Sequence, residues 1–117
     1  MRRRARRRRP RPVTLFETRS PLSGRIRVVQ RGPERRLMMG GETQSVYYPG
    51  GDWSPVEREY WARALAPLRA LPPRPRVLLL GLGGGTQVHL VARATESARI
   101  TVIERDPAVV RVAGDWF

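Results

Sequence analysis

The apolar run Val77-Leu78-Leu79-Leu80 passes without a break into Gly81-Leu82-Gly83-Gly84-Gly85-Thr86. Apolar residues at successive rather than alternate positions suit a parallel strand covered by helices on both faces. The glycines let the backbone turn sharply and come close to a ligand. Thr86 to Ala94, with Val88, Leu90 and Val91 at helix-compatible positions, then opens a helix whose first N–H groups face the loop. Arg99 to Ile103 reads as the next strand, and Glu104 ends it, 23 residues beyond Gly81. Strand, glycine loop, helix, strand and terminal acid in this order make one βαβ unit. Such a unit serves a ligand with a ribose, whose hydroxyls Glu104 would hold.

A plainer reading is that the glycines only make a turn and Glu104 only caps the following helix or pairs with Arg105. Asp106, ahead of Pro107, already fits the cap position, so two adjacent acids point to two tasks. Thr86 stands where a dinucleotide fingerprint has its third glycine, and no Gly-Lys-Ser/Thr follows. A phosphate-binding loop for ATP or GTP is therefore excluded, NAD is disfavoured, and a nucleoside lacking a pyrophosphate fits better. The fold class expected is α/β, with residues 76–117 the first βαβ part of a Rossmann-like domain. At 117 residues the chain is short for the several units needed to cover both sheet faces, so we expect an incomplete fold, an N-terminal fragment, with Val77 to Leu80 partly exposed.

Upstream, Val13 to Phe16, Arg25 to Gln30, Arg35 to Met39 and Thr43 to Tyr48 are short β-prone runs separated by proline and glycine. Alternation in Gly24-Arg25-Ile26-Arg27-Val28 suits an antiparallel sheet with one wet face, and Gly40-Gly41 a tight hairpin. These runs form a small β-module over 13–53. Ser54-Pro55-Val56-Glu57 has a cap, a proline at the first helical position and a capping-box acid, which predicts a helix ended or kinked by Pro67. Tyr60 and Trp61 read as packing residues on it. Helix and proline-rich connector occupy 54–75, with the domain boundary at Leu71-Pro72-Pro73-Arg74-Pro75.

The chain has no cysteine and one histidine, His89, so thiolate sites and a Cys nucleophile are excluded and no metal is expected. His89 reads as a packed or surface residue. The formal charge of +13 comes largely from Arg2, Arg3, Arg4, Arg6, Arg7, Arg8, Arg9 and Arg11; without them +5 remains. Lysine is absent. This 1–12 tail is expected to be disordered. Three readings stay open for it: a silent solvated extension, favoured; a nucleic-acid or anionic-surface contact; and a targeting segment. No base-stacking aromatics lie among its arginines. Val13 to Phe16 is too short for a secretory core and no run approaches a membrane span, so a cytoplasmic location is expected.

Val77 to Thr86, followed by Ile100-Thr101-Val102-Ile103-Glu104-Arg105-Asp106-Pro107-Ala108-Val109-Val110 and Ala113-Gly114-Asp115-Trp116-Phe117, resembles the spermidine synthase family and its relatives in the class I methyltransferase superfamily. Leu37-Met38-Met39-Gly40-Gly41-Glu42-Thr43-Gln44-Ser45 and Glu59-Tyr60 resemble that family's N-terminal β-domain and gatekeeping segment. The likeness covers roughly 24–117. It implies a SAM-methyltransferase fold binding decarboxylated S-adenosylmethionine or S-adenosylmethionine. Gln44 would lie beside the thioether nucleoside, Gly81, Gly83, Gly84 and Gly85 around it, and Glu104 and Arg105 at the ribose end. It further implies a small-molecule amine as acceptor, aminopropyl transfer in the parent enzyme with methyl transfer as the alternative, and a homodimeric full-length parent. Two family carboxylates are missing: the loop aspartate is Gly84, and the acid before the β-module glycine is Gly40. The family's general base lies beyond Phe117, so the fragment alone is expected to be inactive.

Overall fold

A computed structural model describes residues 7–56, 59 and 63–117. Strands β1 (Val13–Ser20), β2 (Gly24–Arg31), β3 (Glu34–Met39) and β4 (Glu42–Tyr47) form an antiparallel sheet in that order. Strand β5 (Arg76–Leu80), helix α1 (Thr86–Ala94), strand β6 (Arg99–Ile103) and helix α2 (Pro107–Trp116) follow, with β5 and β6 parallel. The expected β-module and βαβ unit are both present.

The antiparallel sheet follows from its alternation and its turns. Gly40 and Gly41 have φ of +59° and +81°, the pair of positive values that a two-residue primed hairpin requires. Strand β1 runs to Ser20, four residues past the expected end at Phe16, because Glu17, Thr18 and Arg19 pair with Arg27, Ile26 and Arg25. Their polar character obscured a strand whose outer side is wet. Ile26, Val28 and Leu37 are wholly buried and pack with Val109 and Val112, so α2 covers the inner face of the sheet. A second cluster, Val46, Tyr48, Trp53, Val56 and Leu90, joins β4 and the turn after it to α1.

The helix expected from Ser54 falls partly on 57, 58 and 60–62, including Tyr60 and Trp61, which lie outside the described residues. Of the described residues in that span, Arg63 is helical. The Val56 N–H donates to the Trp53 carbonyl and the Glu59 N–H to the Val56 carbonyl, both turn bonds. Asp52 Oδ1 accepts the Ser54 N–H at 3.0 Å. The α-helical conformation has ended before Pro67, which stands in the first turn of a 3₁₀ turn over Ala66–Ala70, where a residue without an N–H is tolerated.

Asp106 caps α2 as expected, its Oδ1 accepting the Ala108 N–H at 2.9 Å with Pro107 in the first turn. Its Oδ2 also takes the hydroxyls of Ser20, at 2.5 Å, and Ser23, which fastens the β1–β2 hairpin to the start of α2. The parallel pair is covered on one face only. Val77, Leu79, Ile100 and Val102 are half-buried, while Leu78, Leu80 and Ile103 on the other face are 59%, 79% and 57% exposed. Among the described residues no helix is long and apolar enough to cross a membrane.

Candidate functional site

The loop between β5 and α1 is held mainly by its own N–H groups. Gly81 N–H donates to the Ile103 carbonyl at 2.7 Å, and Gly85 N–H to the Leu82 carbonyl at 2.9 Å. Leu82 N–H donates to Glu104 Oε2 at 2.9 Å, and Gly84 N–H to the Ser45 hydroxyl at 2.7 Å. A nest for phosphate needs such donors free and convergent. Here they are occupied by the chain itself, in keeping with a ligand that presents hydroxyls rather than phosphate at this point.

Glu104 stands at the junction. Its Oε1 accepts the Asp106 N–H at 3.0 Å while Oε2 takes Leu82. Partial burial alone would raise its carboxyl, but the backbone N–H groups of Leu82, Asp106, Arg105 and Gly83 outweigh burial and hold it below the usual carboxylate range. The group is thus an ionised acceptor at neutral pH, and each of its oxygens has a second lone pair beyond the backbone bond it makes. The plainer role considered for Glu104, bracing the local backbone, is present; it leaves acceptor capacity toward solvent.

Gln44, Gly81, Gly83 and Glu104 line one cleft of about 290 Å³, with Met39, Leu82 and Gln87 beside them and Ser45 and Thr86 at its floor, where they also hold the loop. Gln44, within β4, is exposed and shares the cleft lining with the acid. Gly84 and Gly85 are buried behind the loop, and Arg105 is exposed and outside the cleft lining. Of the expected binding residues, four therefore share a cleft and three do not. A larger hollow of about 430 Å³, lined by Trp53, Leu65, Leu90, Arg63, Arg69 and Arg93 among others, contains no acid or nucleophile and touches no loop residue.

Behind the loop, the β-module is clamped to it. Thr86 is buried, and its hydroxyl accepts the Val46 N–H and donates to the Val46 carbonyl, both at 2.8 Å. A Cβ added at Gly84 would lie 3.0 Å from both Ser45 Cβ and Phe117 Cδ1, and one at Gly83 only 2.5 Å from Ser45 Oγ. Gly83 and Gly84 are thus glycines because β4 and the end of α2 come so close. The sequence offered Thr86 only as a broken fingerprint. Ser45 carried one signal, a hydroxyl opposite Leu37 on an inward-facing register.

His89 is packed, as expected: its rings neighbours are Tyr47 and Trp53, with centroids at 5.0 and 5.2 Å, and Nε2 lies 2.9 Å from the Phe117 carbonyl oxygen. Among the described residues, no group of three or more His, Asp or Glu side chains could hold a metal.

No family model matches the chain. Forty-one of its residues are 49% identical to the eEF1A lysine and N-terminal methyltransferase of Danio rerio, a stretch covering 35% of this chain and 6% of that protein. In structure the chain is similar to the spermidine synthase from Thermotoga maritima, with a TM-score of 0.62, 17% identity, and coverage of 88% of this chain and 34% of the other. A spermidine synthase in complex with the transition state analogue AdoDATO is similar to the same extent. At 17% identity this is a likeness of fold, and the chain spans about a third of the length of those structures. The chain is spermidine-synthase-like in fold, an antiparallel β-module followed by a partial Rossmann-like unit.

Proposed function

We propose that the cleft between Gln44, Gly81 to Gly83 and Glu104 binds the adenosine part of an S-adenosylmethionine-type ligand, and that the chain is the nucleoside-binding part of an alkyl transferase acting on an amine. The observation that carries this is the ionised Glu104 carboxylate at the mouth of a cleft whose loop N–H groups are already occupied. That pairing suits a neutral ribose diol and disfavours a phosphate. Gln44 would face the thioether end, and Arg105 the solvent side of the ribose.

In the parent reaction, an amine nitrogen attacks the carbon attached to the sulfonium. The C–S bond breaks as the C–N bond forms, the thioether leaves, and the amine proton passes to a base. Glu104 is unsuited to be that base, because the N–H groups around it favour its ionised form and make it weakly basic. This chain's own part is to bind and orient.

Aminopropyl transfer is the reading the fold neighbours support. Methyl transfer is favoured by Gly84. A cationic propylamine needs a carboxylate beside it, and at the family's aspartate position Ser45 and Phe117 crowd out any side chain. The methyltransferase likeness over 41 residues points the same way.

Calorimetry with methylthioadenosine, S-adenosylmethionine and its decarboxylated form tests both statements. Glu104→Gln should weaken all three by about tenfold or more, the cost of a charge-assisted hydrogen bond. An unchanged affinity would sink the ribose assignment. Tighter binding of decarboxylated S-adenosylmethionine than of the carboxylated form would restore aminopropyl transfer as the leading reading.

A further inference from the structure

The cleft lies at β4, one edge of the antiparallel sheet; a surface of opposite character lies at the other edge, on β1 and β2. Ile26 and Val28 point inward and are buried, so Arg25, Arg27 and Arg31 of β2 share the outer face, where consecutive same-side residues are spaced about 6.8 Å apart. Arg19 of β1 stands directly opposite Arg25, and Glu17 opposite Arg27. Like charges directly opposite across two strands are unfavourable. Two carboxylates lie on this face: Glu34 of β3, opposite Arg31 and bonded by Arg36, and Glu17, engaged by Arg25 through Nε at 2.5 Å and Nη2 at 3.1 Å. Arg19 and Arg27 also lower its proton affinity, though less than Arg25 does. Three arginines thus surround Glu17, and Arg31 extends the row beyond them.

The basic tail joins this face. Arg31 Nε donates to the Pro10 carbonyl at 3.1 Å, and Pro10 rests against Gly32 in the β2–β3 turn. Arg7, Arg8, Arg9 and Arg11 are exposed there, continuous with the strand face.

We infer that this arm and the outer face of β1 and β2 form one surface that binds the phosphodiester backbone of nucleic acid without reading bases. Guanidinium groups bind phosphate bidentately, and every cation of the chain is arginine. No aromatic side chain lies among the arginines of the arm or the outer face of β2 to stack on bases, so contact is to backbone alone. An anionic membrane is disfavoured: Val29 of β2 is 9% exposed, and the exposed Val13 and Leu15 of β1, at 58% and 37%, are too few to anchor an insertion. The surface is independent of the nucleoside reading.

The test is fluorescence anisotropy of the full chain with a 20-base-pair duplex of random sequence, as RNA and as DNA, between 50 and 200 mM salt. Binding should weaken steeply with salt and be alike for different sequences. Arg19→Gln with Arg27→Gln should weaken it about tenfold near 100 mM salt and flatten the logarithmic salt slope by about two. The same pair changed to lysine should keep the slope. Replacing Arg7, Arg8, Arg9 and Arg11 by glutamine should flatten it by about four more. Removing the Arg19–Arg25 repulsion leaves folding intact or improved, which a melting curve checks. The inference is overturned if the wild-type chain shows no salt-dependent binding, if the strand variant binds as well as wild type, or if phosphatidylserine vesicles bind and duplexes do not.

Discussion

The front and back of the glycine loop use the same residue type for opposite ends. At the front, a Cβ on Gly81 would meet nothing within 4 Å, and the residue is glycine for its φ of +88°. Space remains there, bounded by Gln44 and Glu104. At the back, Gly84 has no positive φ, and a Cβ would strike Ser45 and Phe117 at 3.0 Å. The space is already filled by the protein. A glycine-rich loop is thus two devices joined in sequence: one leaves room for a ligand, the other lets a β-module dock. Mutations should separate them, with losses of stability at the back and losses of affinity at the front.

The largest effect is expected for Thr86→Val at the back. Valine keeps the shape but removes the hydroxyl that satisfies both the N–H and the C=O of Val46. Leaving two buried backbone groups without partners costs about 2 to 4 kcal/mol, which for a domain of this size lowers Tm by about 10 °C or more. A loss below about 0.5 kcal/mol would show that β4 is held by packing alone. Gly84→Ala comes next. Ser45 and Phe117 must both give way, at about 1 to 3 kcal/mol. Because φ at this residue is ordinary, any loss reports crowding and not backbone strain.

These two positions also mark where the sequence stopped being legible. The βαβ order, the Gly40-Gly41 hairpin and the Asp106-Pro107 helix start rest on local chemistry, periodicity and turn geometry, and all of them formed. The clamp joins residues about forty positions apart, Ser45 to Gly84 and Val46 to Thr86, and no local pattern encodes it. Thr86 read as a defect in a fingerprint although its hydroxyl is the center of the clamp. Of the cleft, the acid and the loop were visible through spacing. Arg105 was grouped with its neighbour Glu104, but at a strand end adjacent residues point apart, and it is exposed outside the cleft.

A smaller effect concerns the second tether of the β-module, Asp106, and it is read by pH. The Ser20 hydroxyl, then that of Ser23, and the Ala108 N–H hold this carboxyl below its usual range, against a burial that would raise it. A depressed folded-state value means that the stabilisation is present above the unfolded value. It is lost as pH falls through the folded one, below about pH 4. Melting temperature should therefore drop in that window, and Asp106→Asn should lose part of that drop while starting from a lower Tm at pH 7. An identical acid limb in the variant would assign the acid sensitivity to Glu104, whose carboxyl is shifted the same way by the loop N–H groups.

The smallest stability effect, and the sharpest separation of front from back, is expected at Gln44. It neighbours Ser45 in sequence and both line the cleft, but successive strand residues face opposite sides, so Gln44 is exposed while Ser45 is buried with its hydroxyl on the Gly84 N–H. Gln44→Ala removes an exposed side chain and should change stability by less than about 0.5 kcal/mol. The same substitution should weaken methylthioadenosine about three- to tenfold, the range of one lost neutral hydrogen bond. Ser45→Ala should do the reverse, lowering Tm by several degrees through the unpaired Gly84 N–H. A Gln44 variant that melts early and binds normally would erase the division between the two sides, because the residue would then serve the docking of β4 and not the cleft.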